Sequence, residues 1–471
     1  MNAPPWKADP SYGGMSDVAA ERSWVATQSQ QVAVKQRSAP SNDIVTEDSA
    51  ARDFIELHGS DLRYCHSAGT WFRWNGVFWE RDKTGMASHW AREFARGLAE
   101  NQDKRARYIT SKAAFAANVE RFARNDPAVA VTAEYWNQNI WVLGTPGGTV
   151  DLKTGGLREP TQDDGITKLT TVAPSQAPCP RWLEFLRETT GGDTALVRFL
   201  QQWCGYGLTG DIREHALVFV YGPGGNGKSV FLNVTTSILG DYAVTSAMET
   251  FVASRSDRHS TELAMLQGAR VVTASETDEG RPWAEARIKQ VTGGDRITAR
   301  FMRQDNFTFT PQFKLTITGN HKPTLQNVDD AARRRFLIVP FEFKPERPDP
   351  ELESKLLVEA GGILQWMIDG CLDWQQNGLM RPERVMAATK EYFADQDAFS
   401  HWLDECSIRD ERFFDMSSEL FKSWKEYALA SGVGAGGTPA FKEKMKKCGF
   451  ISEHTRAGTR FLGLKLTKMG R

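Results

Sequence analysis

The first 47 residues carry Ser, Ala, Gln and Pro with little hydrophobic period, and such a segment cannot bury enough surface to offset the entropy of ordering it. A flexible tail is expected there. Apolar and aromatic positions then become dense. In Trp71-Phe-Arg-Trp-Asn-Gly-Val-Phe-Trp79, aromatics flank an Asn-Gly turn signal, which predicts a hairpin. A mainly helical pattern follows over 87–125. Segments 139–143, 147–152 and 166–171 read as short strands, before a helical block holding Trp182, Phe185, Phe199, Leu200 and Trp203. From 215 to 343 the apolar period alternates between that of strands and that of helices, the pattern of an open α/β sheet. Residues 351–382 read as a helical appendage with Leu352, Leu356, Ile363, Trp366 and Trp374 on one face. A linker is expected near 387–396. Beyond 399 the pattern predicts helices closing on a two-stranded wing, at Phe450-Ile-Ser and 459–466. The boundaries that follow are a tail over 1–47, an auxiliary α+β domain over 48–210, a motor-like α/β domain over 211–385, and a small domain over 397–471.

Chemistry enters where the α/β pattern begins. Directly after the apolar run 216–221 comes Tyr221-Gly-Pro-Gly-Gly-Asn-Gly-Lys-Ser229, and its spacing G-x-x-x-x-G-K-[ST] is that of a phosphate-binding loop. Gly222, Pro223, Gly224, Gly225, Asn226 and Gly227 would bring backbone N–H groups close to phosphate oxygens that a Cβ would hold off. The helix predicted to open at Gly227 points its positive end at the same anion. Lys228 reaches the outer phosphates and Ser229 can hold Mg2+, so ATP with Mg2+ is the expected ligand.

Binding alone does not cleave a phosphoanhydride; acids on a neighbouring strand are needed to hold metal and orient water. Arg270-Val-Val-Thr-Ala-Ser-Glu276 supplies a strand end, with Glu276 as the candidate metal ligand and catalytic acid and Asp278 or Glu279 as helpers. A further apolar strand, 313–319, ends in Asn320, a candidate sensor of the terminal phosphate. The run Asp329-Asp-Ala-Ala-Arg-Arg-Arg-Phe336 sets Arg334 and Arg335 ahead of a buried strand, where one of them suits a transition-state finger. The alternative is a surface basic run paired with Asp329 and Asp330. Between these lies a Gly293-Gly294 turn flanked by Lys289, Arg296, Arg300 and Arg303, which reads either as a DNA-facing hairpin with Phe301 available for stacking or as a solvated surface hairpin. The tryptophan-rich stretch reads as core, with base stacking as the alternative.

Composition narrows this only locally. Over 471 residues, 58 Lys and Arg nearly balance 59 Asp and Glu, so the chain as a whole announces no polyanion partner. Between 441 and 471 there are nine Lys or Arg against two Glu, a local excess that fits either phosphates or a solvated helix face. Six cysteines without a C-x-x-C pair argue against a zinc knuckle or disulfide framework and fit a reducing cytosol. No basic-then-apolar leader and no run of about 18 apolar residues is present, so neither secretion nor a membrane span is expected.

Taken in order, these segments resemble the helicase part of phage and plasmid primase-helicases, the superfamily 3 group that includes satellite-phage primases and poxvirus replication NTPases. The resemblance covers about 130–471 and rests also on Gly147-Gly-Thr-Val-Asp-Leu-Lys-Thr-Gly155, Trp203-Cys-Gly-Tyr-Gly-Leu-Thr-Gly210, the Thr-Gly-Gly-Asp core within 289–300, Asn320-His-Lys-Pro323, and Arg334-Arg335 leading into Val339-Pro-Phe341. It implies an AAA+ type P-loop ATPase core between an N-terminal auxiliary domain and a winged-helix-like C-terminal domain. The activity implied is that of an ATP-dependent DNA helicase, a hexameric ring translocating on single-stranded and forked DNA in the bacterial host cytoplasm, with a replication initiator or primase as further partner. By the same resemblance Lys228 and Ser229 bind ATP and magnesium, Glu276 serves the acidic motif, Asn320 is the sensor and Arg334 the finger. Ser275 stands where many members carry a second acid. A primase domain is not evident ahead of residue 130, so helicase without primase activity is expected. The rival class is a nucleotide-regulated origin-binding or scaffold protein that does not unwind DNA.

Overall fold

The computed structural model describes residues 45–100, 103–253, 261–275, 283–302, 305–322, 330–345, 347–395, 398–456 and 458–467. Nearly all of the expected tail lies outside them. The chain divides into two compact units, one of Met1–Glu56 with Ser88–Ala123, the other of Leu57–Ala87 with Arg124–Arg471. In the first lies α1 (Glu47–His58), and the helical pattern expected over 87–125 resolves into α2 (Met86–Glu100), α3 (Lys104–Thr110) and α4 (Ala113–Ala123). Phe54 meets Phe94 edge-on at 5.8 Å between ring centres, and Ala91, Ala95 and Ala99 line the buried side of α2.

The second unit opens with two small sheets. One has the order β3-β2-β1-β4, from β1 (Leu62–Cys65), β2 (Thr70–Trp74), β3 (Trp79–Arg81) and β4 (Ala130–Val131). The hairpin expected around Asn75-Gly76 joins β2 to β3, and Asn75 Oδ1 accepts hydrogen bonds from the N–H groups of Val77 and Phe78 at 3.0 Å each. The other is the antiparallel meander β5 (Val142–Thr145), β6 (Gly148–Asp151) and β7 (Gly156–Arg158). The strand expected over 166–171 does not form. That segment is extended, but its backbone partners are scattered: Ile166 accepts from Trp79, while Thr170 and Thr171 donate to Gly144 and Ile238, so no ladder builds. Trp71, Trp79, Trp182 and Trp203 are buried, which decides for core over base stacking at these four rings.

Helices α5 (Pro180–Thr190) and α6 (Thr194–Leu208) lead to the central sheet, five parallel strands in the order β14-β8-β13-β10-β9. These are β8 (Leu217–Tyr221), β9 (Ala243–Thr245), β10 (Val271–Ser275), β13 (Lys314–Gly319) and β14 (Phe336–Pro340). Parallel strands bury both faces, hence the unbroken apolar runs. Along β8 the side chains divide between two cores. Val218 and Val220 join Trp182, Phe185, Phe231 and Met367, whereas Leu217 and Phe219 join Trp283, Ile317, Phe336 and Tyr392. On the flanks lie α7 (Lys228–Leu239), α8 (Glu285–Gly293), the hairpin β11 (Ile297–Ala299) with β12 (Phe307–Phe309), α9 (Asp330–Arg335) and α10 (Ala360–Asn377). Arg198 of α6 holds Asp373 of α10 through Nε at 2.8 Å and Nη2 at 2.7 Å.

Two expectations about the end of the chain change. Residues 387–395 are not a linker but the larger part of α11 (Glu383–Asp395), whose Tyr392 and Phe393 are buried and whose Thr389 Oγ1 accepts from the backbone N–H of Ile338 at 3.0 Å. The anchoring comes from two aromatics packing on β14, which a local period cannot announce. The small C-terminal domain has α12 (Ala398–Cys406), α13 (Ser417–Ala430) and α14 (Thr438–Lys447) around Trp402, Trp424, Phe441 and Phe461. Its sheet is three-stranded, not two-stranded, in the order β15-β17-β16 from β15 (Ser407–Met416), β16 (Ser452–Thr455) and β17 (Gly458–Leu466). β15 hides from pattern reading because a register shift between Arg409 and Phe414 interrupts its alternation.

Candidate functional site

Strand β8 delivers the glycine-rich loop, and the sheet decides what meets it. In parallel register, Tyr221 at the end of β8 lies level with Gly319 of β13 and Pro340 of β14. The carboxyl ends of three strands therefore converge, bringing Asn320 and Phe341 beside residues 222–229. Open parallel sheets take ligands at this edge. The backbone N–H of Phe341 donates to Tyr221 O at 2.7 Å, and Asn226 Nδ2 donates to Phe341 O, so the loop is tied to the end of β14.

Glycine is required at two loop positions for different reasons. A Cβ on Gly222 would fall on the Phe341 carbonyl oxygen. Gly227 has φ +85°, and a Cβ there would sit 2.7 Å from Phe185 Cε2 and 2.8 Å from Thr189 Cγ2. Gly224, by contrast, has open space where a Cβ would point.

Lys228 is buried and curls back over the loop. Its Nζ lies 2.6 Å from Gly222 O, 3.1 Å from Pro223 O, 3.0 Å from Asn226 Oδ1 and 3.0 Å from Asn320 Oδ1. Three ammonium protons thus face four acceptors. Burial, and after it the charge of Lys344, holds this ammonium below the usual lysine value. A cation destabilised in this way gains from any anion entering the loop. Lys344 is exposed, and Lys322 lies with its Nζ 4.6 Å from the centre of the Tyr221 ring, so two further cations neighbour the loop. Neither was singled out from sequence, although both lie within four residues of a strand end already marked by Asn320 or Phe341.

The other candidates divide. Ser229 is exposed in the first turn of α7. Ser275 closes β10, its Oγ 3.2 Å from Thr318 Oγ1 on β13. Glu276, Asp278, Glu279 and Arg303 lie outside the described residues. Arg334 and Arg335 sit just before β14, at the amino ends of the strands, across the length of the sheet from the loop. Arg334 is exposed; Arg335 turns inward, its Nη1 donating to Ala331 O at 2.9 Å. Arg333 lies over the Phe393 ring at 5.2 Å.

The turn expected at Gly293-Gly294 is instead the end of α8, with Gly294 left-handed at φ +83° as its cap. The hairpin exists one step later, as β11 and β12, and Arg300 borders its turn. Lys289 is half-buried on α8, and Arg296 and Arg300 are exposed. Phe301 is not available to stack on a base: it stacks on Phe307 at 5.7 Å and packs against the core. Sequence reading also passed over Arg270 and Lys314, buried cations at the amino ends of β10 and β13. Arg270 donates to Leu208 O at 2.5 Å and Val142 O at 2.6 Å, and Lys314 Nζ donates to Thr209 O, so both cap carbonyls rather than serve the loop.

Comparison with known proteins gives this geometry a lineage. A family model described as "D5 N terminal like" matches residues 51–191, and one described as a family of unknown function, DUF5906, matches residues 220–335. A helicase-named protein of Acanthamoeba polyphaga mimivirus is 25% identical over 326 residues, 63% of this chain and 34% of its own length. These matches support a likeness to phage and viral primase-helicase-like proteins. A helicase-named protein of Frog virus 3 (isolate Goorha) is 24% identical over 262 residues, 51% of this chain and 27% of its own, and one of Sputnik virophage is 25% identical over 192 residues, 36% and 25%. The matches thus span about a third or less of the length of these helicase-named relatives. Among solved structures, the apo C-terminal region of NrS-1 aligns with a TM-score of 0.51 at 10% identity, over 89% of this chain and 100% of that one. At that identity the likeness speaks for the fold, a mixed α/β core on a parallel sheet. No described helix is long and apolar enough to cross a membrane.

Proposed function

We propose that this protein is an ATP-driven DNA helicase of AAA+ type that works as a ring and advances along one DNA strand. The observation that carries the reading is the convergence of Asn226 Oδ1 and Asn320 Oδ1 on Lys228 Nζ, each 3.0 Å from it, beside a glycine loop at the carboxyl ends of β8, β13 and β14. Loop N–H groups and the amino end of α7 would receive the phosphates, and Lys228 would exchange its carbonyl partners for the outer phosphate oxygens. Asn320, already hydrogen-bonded to Lys228, would then be free to report the terminal phosphate. Magnesium, when bound, neutralises charge between the outer phosphates; Ser229 and Glu276 are the residues proposed to hold it. Arg334, exposed at the far end of the sheet, suits the ATP of an adjacent copy. Strand contact is assigned to Lys289, Arg296, Arg300 and Arg303 around the β11–β12 hairpin.

The helicase names of the mimivirus, Frog virus 3 and Sputnik relatives support the substrate class. The C-terminal domain, three helices with a three-stranded sheet, supports a winged-helix reading with duplex DNA as its ligand. Lys228→Ala is expected to keep the fold, since β8 and α7 are held by the backbone ladders to β13 and β14 and by their apolar faces, and to abolish ATP turnover and displacement of a labelled strand from a forked duplex. Turnover at the wild-type rate in that variant removes the assignment. Nucleotide binding and turnover without any strand displacement would point instead to a nucleotide-regulated origin-binding protein.

A further inference from the structure

We infer that the exposed face of α3, in the first compact unit, is a binding surface for single-stranded nucleic acid, distinct from the strand contacts assigned to the β11–β12 hairpin. Between residues 104 and 119 the chain has four cations, Lys104, Arg105, Arg107 and Lys112, and no acid. The nearest carboxylate, Asp103, is occupied as the helix cap, accepting from the N–H groups of Arg105 at 2.9 Å and Ala106 at 2.8 Å. Among the described residues none of the four cations forms an ion pair. Solvated helix faces ordinarily mix the two signs. Here Lys104 and Arg107 stand three residues apart, a like-charge spacing that destabilises a helix and that a merely soluble surface has no reason to keep.

The second observation is Tyr108, 68% exposed and the most exposed aromatic side chain among the described residues. At about 100° per residue, Lys104, Arg105, Arg107 and Tyr108 fall within an arc of roughly 160°, opposite half-buried Ala106 and buried Thr110, with the ring flanked on both sides by charge. Lys112 Nζ lies 4.4 Å from the ring centre. A flat ring amid unpaired cations matches a polymer that offers phosphates and unstacked bases together. A base stacks on the ring while the cations neutralise the backbone, and duplex DNA, whose bases face inward, cannot use the ring.

The full chain is titrated without nucleotide into a fluorescein-labelled oligo(dT) of about twenty nucleotides, followed by anisotropy at several salt concentrations. Lys104→Ala/Arg105→Ala/Arg107→Ala is expected to weaken binding at least about tenfold and to lower the salt slope by about 2. Tyr108→Ala should weaken it about fivefold or more, and Tyr108→Phe should bind as the unaltered protein does. Matching melting curves establish that these exposed changes leave the fold intact. ATP turnover without DNA should be unchanged in every variant, so a failed motor assignment does not disturb this test. Unchanged oligonucleotide affinity in Tyr108→Ala overturns the proposal. So does an equal loss of heparin binding in that variant, because a polyanion without bases has nothing to stack.

Discussion

Arg334 offers the sharpest test of the proposed ring. Strands β14 and β8 run parallel, with Phe336 level with Leu217 and Pro340 level with Tyr221, so Arg334 lies beyond one end of the sheet and the glycine loop beyond the other. Four strand steps of about 3.3 Å put roughly 13 Å between Phe336 and Pro340 before the residues at either end are added. That is about twice the span of an extended arginine side chain. Arg334 therefore cannot reach phosphates on its own loop, and any catalytic role it has is played across a subunit boundary. Loss of such a guanidinium costs a factor of about 10³ to 10⁵ in turnover, or roughly 4–7 kcal/mol of barrier. Arg334→Ala should show that loss in a phosphate-release assay while its nucleotide affinity stays near the starting value. Mixed with Lys228→Ala, a productive boundary needs an intact Lys228 on one side and an intact Arg334 on the other. At equal amounts and random assembly the chance is one half times one half, so about a quarter of full turnover should return, with a maximum near the equal mixture. Arg335→Ala should not behave this way, because its Nη1 is already committed to Ala331 O. If subunits exchange freely and no ratio restores hydrolysis, or if Arg334→Ala keeps turnover within tenfold of the parent, action across the boundary is wrong.

Three further outcomes test the architecture. Gly227→Ala must adopt a left-handed conformation and push against Phe185 and Thr189, at about 1–2 kcal/mol for the backbone and 1–3 for the overlap, whereas Gly224→Ala should leave the urea midpoint unchanged. Equal midpoints for the two variants would contradict the loop geometry. Tyr392→Phe strands the buried Trp283 Nε1–H, which donates to Tyr392 Oη at 3.0 Å, and should lower stability by about 1–3 kcal/mol in equilibrium denaturation. Asp373 is held down to about 2, first by its hydrogen bonds from Arg198. A carboxylate lowered in the folded state contributes stability above its unfolded value near 3.8, and that contribution disappears as the pH falls from there through about 2. Asp373→Asn should therefore cost on the order of 1–2 kcal/mol at neutral pH, after allowing for solvent around Arg198, and should flatten the acid limb of the stability curve. An unchanged limb would mean that the ion pair contributes nothing.

Much of the candidate site was legible because its chemistry is local. Residues 222–229 need only a strand before and a helix after, and the apolar run 216–221 and the period beyond Val230 announced both. The Asn75-Gly76 hairpin was legible for the same reason, since one dipeptide sets the turn. What misled were patterns whose meaning depends on a distant partner. Gly293-Gly294 is a turn signal, yet it caps α8, because Ile288 and Val291 bury and keep the chain helical up to the glycines. Residues 166–171 are β-like but find three different acceptors and donors instead of one neighbour strand.

By itself the sequence determined the strand, glycine loop and helix around Lys228, the buried character of β8, β13 and β14, and the residue types able to meet phosphate, because backbone preference and side-chain period act over a few residues. Only the tertiary structure decided that Asn320, 92 residues from Lys228, stands 3.0 Å from its ammonium, and that Arg334 stands at the opposite end of the same sheet. Strand order and direction settle both. They arise from which apolar faces pair across long stretches of chain, and no short spacing along the chain records that choice.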